Sequence, residues 1–518
     1  MKIPLKTIAL WMTAALALSV LLAGCSGGSS TAPAAQPEQG ATAPAALPKV
    51  YFYSNNGTLM GTSPQGSDPQ KLKKMQELVR QKVGIDPIAI IPPKGADKDK
   101  LNLLLSSSES IDTFLGSWDE YAPKNMIVPL NELLDKYGQN LKKVFTPEEW
   151  RSVTDKDGKI WGIPGSRAYV AYPIYVRGDW LKKLGLQMPK NLDELEAVLK
   201  AFKERDPDGN GKADTIPLAT DLSGLRYAIL GGFIDNESGY SNYLDPADKK
   251  LKPIELHPGY KDFLAKMADW YKNGYIDKEA FTKDDAPELL KTNRVGVTAK
   301  WYSRVTLNQP KLTPSFPEMD HQIAKGITGP KGKLQTSTAF SSYAILISRK
   351  AANPEAVIKF YDWNYADISN WMTAIRGVEG EDWKWTDRSK LVYELTKSDQ
   401  PYGSEFAMAN LVDLNNNVST FSPETAMMTD YFNTEMFKFE NAKRPLDSGF
   451  IYDRKELAEK VPNAGDITRL INEETVKFIM GARPLAEYDK FVDELQKAGL
   501  GKWIDEMTRQ YNGFVAKK

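Results

Sequence analysis

Apolar positions along the chain follow two periods, and the change from one to the other marks the elements. Lys49-Val50-Tyr51-Phe52-Tyr53 is a strand-like run ended by the polar turn Ser54-Asn55-Asn56-Gly57. Leu72, Met75, Leu78, Val79 and Val83 then fall on one helical stripe, and a second helix is predicted over about Asp97–Ser107. Thr113-Phe114-Leu115 reads as the next strand. This order predicts an α/β lobe with a largely parallel sheet. The same grammar returns downstream. Tyr172-Pro173-Ile174-Tyr175-Val176 reads as a strand, and Leu192, Leu195, Val198, Leu199 and Phe202 mark a helix capped by Asn191. Val295-Gly296-Val297 and Tyr343-Ala344-Ile345-Leu346-Ile347 are further buried strands. From Pro354 on, helices dominate: Ala356, Val357, Phe360, Tyr361 and Trp363 form one stripe, and Leu485, Tyr488, Phe491, Val492 and Leu495 form another. No internal repeat is present.

The first apolar stretch is of another kind. Lys2 and Lys6 precede an apolar run from Ile8 to Ala23, which ends in Leu22-Ala23-Gly24-Cys25. That is the layout of a secretory signal, too short and lightly flanked for a stable transmembrane helix. Cys25, the single cysteine of the chain, resembles the modified residue of a bacterial lipobox. The resemblance implies removal of residues 1–24 as a signal peptide and lipidation of Cys25. It places the mature protein at the extracellular face of the cell membrane, held by several acyl chains. Residues 25–48, rich in Gly, Ser, Ala and Pro, form the lipidated start and a flexible linker.

Composition narrows the chemistry. The 67 basic and 67 acidic residues balance, which gives no footprint for nucleic acid. With Cys25 lipidated no thiol remains, and the two histidines, His257 and His321, stand in no metal-ligand spacing. A His-based triad or a zinc hydrolase is therefore hard to assemble. Aromatics are abundant, with 12 Trp, 23 Tyr and 19 Phe, a supply that suits either core packing or a ligand with flat apolar faces, sugar above all.

Several segments carry a family resemblance in a fixed order. They are 100–107 ahead of the strand at 112–115, Ile127-Val128-Pro129-Leu130-Asn131-Glu132-Leu133, and Asp157-Gly158-Lys159-Ile160-Trp161-Gly162-Ile163-Pro164. Then come 177–186 leading to the loop 206–214, Gly377-Val378-Glu379-Gly380-Glu381-Asp382-Trp383-Lys384-Trp385, and the terminal 478–501. In these the chain resembles the family 1 extracellular solute-binding proteins of ABC importers, and within them the long branch that includes alginate-oligosaccharide binders. The resemblance implies a two-lobe α/β fold of the periplasmic-binding-protein type (type II), with a hinge and a helix-rich C-terminal part. It sets lobe 1 at 49–168 and 328–374, and lobe 2 at 169–327 and 375–518. It further implies a monomer without catalysis that passes a carbohydrate, held between the lobes, to permease subunits.

The loop Asp206-Pro207-Asp208-Gly209-Asn210-Gly211-Lys212-Ala213-Asp214 has the spacing of the first nine positions of an EF-hand loop. Asp206, Asp208, Asn210 and Asp214 supply side-chain oxygens, and the Lys212 carbonyl falls at the seventh position. A structural Ca²⁺ is expected there, although the twelfth position is Pro217 and Thr215 stands where resembling alginate binders carry an acid. Ligand contacts are expected just past strand ends: Asn55 and Asn56; Trp118, Asp119 and Tyr121; Arg167, Tyr169 and Tyr172; Trp301, Tyr302 and nearby Arg304; Arg376, Trp383 and Trp385. Indole and phenol rings stack on the C–H face of a pyranose, while Arg, Asp and Asn bond its hydroxyls. For each ring core packing is the alternative. Two other functions stay open at this stage, a surface polysaccharide-degrading enzyme and a sensory or adhesive lipoprotein that retains the binding fold.

Overall fold

The computed structural model describes residues 46–53, 69–92, 96–165, 168–235, 241–282, 289–396, 419–420 and 423–516. Cys25, Asn55, Asn56 and Arg167 lie outside them, as does the side chain of Arg376.

The first lobe is built on a five-stranded sheet in the order Asp86–Ile90, Lys49–Tyr53, Thr113–Ser117, Tyr343–Ile347, Ile163–Pro164. Its first three strands are parallel. Tyr343–Ile347 runs antiparallel to both of its neighbours, so the sheet is mixed and not largely parallel. The reason is topological: that strand enters from the second lobe, at the end of the sheet opposite to where local β-α-β units begin. Asp86–Ile90 escapes the apolar pattern because Pro87 interrupts it. As an edge strand it tolerates the missing N–H.

Alternation along the strands sends Val50, Phe52, Leu115 and Ile345 to one face, under Val357, Phe360 and Tyr361 of the helix Pro354–Ala366. Phe114 and Leu346 go to the other face, with Leu101 and Leu104 of Asp97–Ser106. Each such side chain contributes about 1.5–3 kcal/mol on burial.

The second lobe carries a four-stranded sheet, His321–Ile323, Ile174–Arg177, Val295–Ala299, Ile216–Thr220. Leu195, Leu199 and Phe202 of the helix Leu192–Glu204 pack against Ile174, Val176, Leu218 and Val297. That helix begins where expected, since the Asn191 side chain accepts from the Glu194 N–H at 2.9 Å. The C-terminal helices Ala464–Met480, Tyr488–Lys497 and Leu500–Val515 close over the same core. No described helix is long and apolar enough to cross a membrane.

Two described segments pass between the lobes side by side. One includes Gly165 and residues 168–172, and the other covers residues 335–342. The Thr338 N–H donates to the Tyr169 carbonyl at 2.8 Å, and the Tyr169 N–H donates to Thr338 Oγ1 at 3.0 Å. Gly165 is required at the entry, because a Cβ there would stand 2.7 Å from the Tyr343 carbonyl oxygen. The lobe boundaries differ from expectation at two places. The hairpin Thr328–Gly329 with Gly332–Lys333 stays in lobe 2, fixed by Leu334 in that core, so the return to lobe 1 begins near residue 335. Trp383 and Tyr393 are buried in the first lobe's core, so lobe 1 extends past residue 374. Ser419–Thr420 still pairs there, whereas helix Pro423–Thr434 packs Tyr431 and Phe432 against lobe 2.

Candidate ligand-binding site

Val295–Ala299 and Ile216–Thr220 pair in parallel, while Ile174–Arg177 runs antiparallel to the former. Three connections therefore meet at one edge of the second sheet, the edge facing the crossing segments. The residues after Ala299 and after Thr220 leave it, and the residues before Ile174 arrive. The Tyr302 N–H donates to the Ala171 carbonyl at 2.9 Å and ties two of them together. The helix Leu222–Ala228 completes the group, with the Asp221 side chain accepting from the Gly224 N–H at 2.7 Å. Gly224 is what lets this helix approach: a Cβ on it would lie 2.0 Å from the Ala299 carbonyl oxygen.

A band of rings results. Tyr172 stacks on Tyr227 with centroids 4.8 Å apart and planes 5° from parallel. Trp301 meets Tyr172 edge to face at 5.7 Å and Tyr169 at 5.8 Å. Tyr302 lies against Trp301 at 5.5 Å and stacks on Tyr431 at 5.3 Å. Tyr169, Tyr172, Trp301 and Tyr302 are only half-buried, so part of the band stays open to solvent. Burial raises the Tyr169 and Tyr431 hydroxyls well above the usual phenol range, so they act as neutral hydrogen-bonding groups. The Tyr431 hydroxyl already donates to the Val170 carbonyl. Four of the expected ligand residues thus assemble in one place. Tyr227 and Tyr431 join them without any local signal, since each is an aromatic on a helix that sequence periodicity alone would assign to packing.

The remaining candidates fall elsewhere. Trp118 is 9% exposed, packed with Phe114 and Leu346, and its indole N–H donates to the Ser152 carbonyl at 2.9 Å. Tyr121 is buried beside it, edge-on to Phe114 at 5.1 Å. Trp383 is wholly buried, with its indole N–H on the Gly377 carbonyl at 2.8 Å, and Trp385 packs edge-on to it at 5.3 Å. Trp118, Tyr121 and Trp383 are therefore part of the first lobe's core, while Trp385 is half-buried against it, its indole N–H on Ser369 Oγ at 3.1 Å. Asp119 is buried at the end of Thr113–Ser117 and ion-paired to Arg454 of the second lobe. Arg304 is half-buried one turn past Trp301.

The acidic loop connects Leu192–Glu204 to Ile216–Thr220. The Gly211 N–H donates to Asp206 Oδ2 at 2.9 Å, and the Asn210 side-chain amide donates to Asp208 Oδ2 at 2.8 Å and Asp214 Oδ1 at 3.0 Å. Asp214 also pairs with Arg294 at 3.2 Å. Among the described residues no three His, Cys, Asp or Glu side chains converge on a point suited to a metal ion. The oxygens gather instead around the Asn210 amide. Even so, the donor chemistry fits a hard cation: Asp206 Oδ1 is buried with no hydrogen-bond partner among the described residues, and Asp208 is raised by burial and by its contact with Asp206.

A sequence profile of bacterial extracellular solute-binding proteins matches residues 93–367. The fructooligosaccharide ABC transporter substrate-binding protein FusA of Streptococcus pneumoniae is 26% identical over 475 residues, covering 81% of this chain and 83% of its own. The polygalacturonan/rhamnogalacturonan-binding protein YtcQ of Bacillus subtilis is 27% identical over 368 residues, covering 68% and 70%. The crystal structure of the alginate-binding protein AlgQ2 without calcium ion superposes with a TM-score of 0.65 at 24% identity, covering 90% of this chain and 97% of that one. This likeness extends over both lobes, and the architecture is the two-lobe periplasmic-binding-protein fold.

Proposed function

The chain belongs to the bacterial extracellular solute-binding protein family, is therefore a binding protein rather than an enzyme, and we propose that its solute is an oligosaccharide delivered to an ABC importer. The observation that carries this reading is the half-open ring band Tyr227–Tyr172–Trp301–Tyr302 at the hinge-side edge of the second sheet. Flat apolar rings flanked by hydroxyls suit the two-faced surface of a sugar, and a site at the lobe junction permits enclosure by hinge motion. FusA and YtcQ, named for carbohydrate ligands, support the same class.

The protein acts as a monomer, tethered to the outer face of the membrane by lipid on Cys25. A structural Ca²⁺ is held by Asp206, Asp208, Asn210 and Asp214 with the Lys212 carbonyl, and it would neutralise carboxylates that otherwise repel one another. Two experiments test the reading. In a thermal-shift screen against neutral and acidic oligosaccharides, at least one should raise the melting temperature by mass action and return unchanged. No shift from any member refutes the carbohydrate assignment. Labelling with a fatty-acid analogue should mark the wild type and not Cys25→Ser; label on the variant refutes the anchor.

A further inference from the structure

Lys300 is the residue after Val295–Ala299, immediately before Trp301, and only 5% of its side chain is exposed. An ammonium carries three donors. Among the described residues its one charged partner is Asp221 Oδ2 at 3.6 Å, too far for a good hydrogen bond. Asp221 in turn accepts from the Gly224 N–H with Oδ1 and turns Oδ2 toward Lys300, its side chain 40% exposed. A lysine with a largely buried stem, whose ammonium has its charged partner as far off as 3.6 Å beside a half-exposed acceptor, can take a hydroxyl of an incoming group.

The location agrees. Thr220 pairs with Ala299, so Asp221 and Lys300 leave two adjacent parallel strands at the same carboxyl edge, where open α/β sheets receive ligands. Both are joined through the backbone to the ring band, Lys300 to Trp301 and Asp221 to the helix that carries Tyr227.

We propose that Lys300 and Asp221 together read two neighbouring hydroxyls of an uncharged sugar unit, and that this pair disfavours a uronate at the same position. The proposal rests on the oligosaccharide reading above. The ammonium would donate to one hydroxyl oxygen while Asp221 Oδ2 accepts the hydrogen of the next. The two side chains cancel in charge, so a neutral diol satisfies both. A uronate carboxylate would instead bring a second negative charge against Asp221.

The test is calorimetry with kestose, xylotriose and trigalacturonate on wild type, Lys300→Met and Asp221→Asn. Asn keeps the helix cap, and Met keeps most of the volume. Wild type should bind a neutral trisaccharide at least tenfold more tightly than trigalacturonate. Both variants should lose at least tenfold for the neutral sugar. Asp221→Asn, which leaves Lys300 unbalanced, should gain affinity for trigalacturonate. Neutral binding unchanged in Asp221→Asn overturns the pair while leaving the oligosaccharide reading intact. Trigalacturonate bound best by wild type, with loss in Arg304→Gln, overturns the neutral class and assigns the sugar to Arg304. Binding of none of the three, with no response in the wider screen, overturns both readings together.

Discussion

Asp119 in the first lobe and Arg454 in the second form an ion pair that spans the junction between the lobes. Asp119 belongs to the helix Trp118–Tyr121 and is 5% exposed; Arg454 opens the helix Arg454–Lys460, whose Leu457 is packed in the second core. Asp119 Oδ1 has no hydrogen-bond partner among the described residues, so the guanidinium is the main compensation for a buried carboxylate. A second pair, Glu148 to Arg444 at 2.9 Å, crosses with the same polarity but is about half-exposed at both ends and contributes little.

Arg454→Gln should therefore loosen the lobes and leave Asp119 uncompensated. We expect a larger radius of gyration without ligand by small-angle scattering and a stability loss of about 1–3 kcal/mol, less than for a fully buried pair. Asp119→Asn and Arg454→Gln combined should be non-additive. Strict additivity with an unchanged radius would show that the pair does not hold the lobes.

Trp301→Ala should cost tenfold or more in oligosaccharide affinity, with a small change in melting temperature. Trp383→Ala should do the reverse and lower stability by about 3–5 kcal/mol while the folded fraction binds normally. Parallel calorimetry and denaturant unfolding separate the two. Equal stability losses would move Trp301 into the core.

Gly224→Ala forces a methyl group against the Ala299 carbonyl oxygen, where 2.0 Å is available. The helix Leu222–Ala228 must retreat from the strand end, carrying Asp221 and Tyr227 with it. Overpacking of this kind costs about 1–3 kcal/mol. Affinity should fall as well, and a variant with wild-type affinity would detach this helix from the site.

Stripping divalent cations should lower the melting temperature, and adding back Ca²⁺ should restore it, with Asp208→Ala insensitive to both. An unchanged melting temperature on readdition would make the loop a polar turn.

Glu506 accepts from Arg509 at 2.7 Å, Lys460 at 2.8 Å and Gln510 at 2.8 Å, and these bonds hold its carboxyl down to about 2. Its folded value lies below the unfolded one, so the unfolded chain takes up a proton first as pH falls. The stabilisation is complete above the ordinary glutamate range and is lost between about 4.5 and 2. Because Lys460 and Arg509 are about half-exposed, screening limits it to about 1–2 kcal/mol. Glu506→Gln should flatten the acid limb of the stability curve in that window and leave binding at neutral pH intact. An unaltered acid limb would contradict this.

Local periodicity and capping chemistry by themselves determined most of the elements. Val50 and Phe52 alternate as a strand must, and Leu195, Leu199 and Phe202 fall on one helical face behind the Asn191 cap, because these patterns depend only on neighbours within a few residues. The strand ends that frame Tyr172 and Trp301 were legible for the same reason. What the tertiary structure alone decided is which rings keep a free face. Trp118 and Trp301 each follow a strand closely, yet the first lies in a core between Phe114 and Leu346 and the second on a half-open band. Tyr227, Tyr431 and the Lys300–Asp221 pair come together only when segments far apart in sequence meet at one sheet edge. Burial and pairing of that kind depend on the register of distant strands, a non-local quantity that no window of the chain contains.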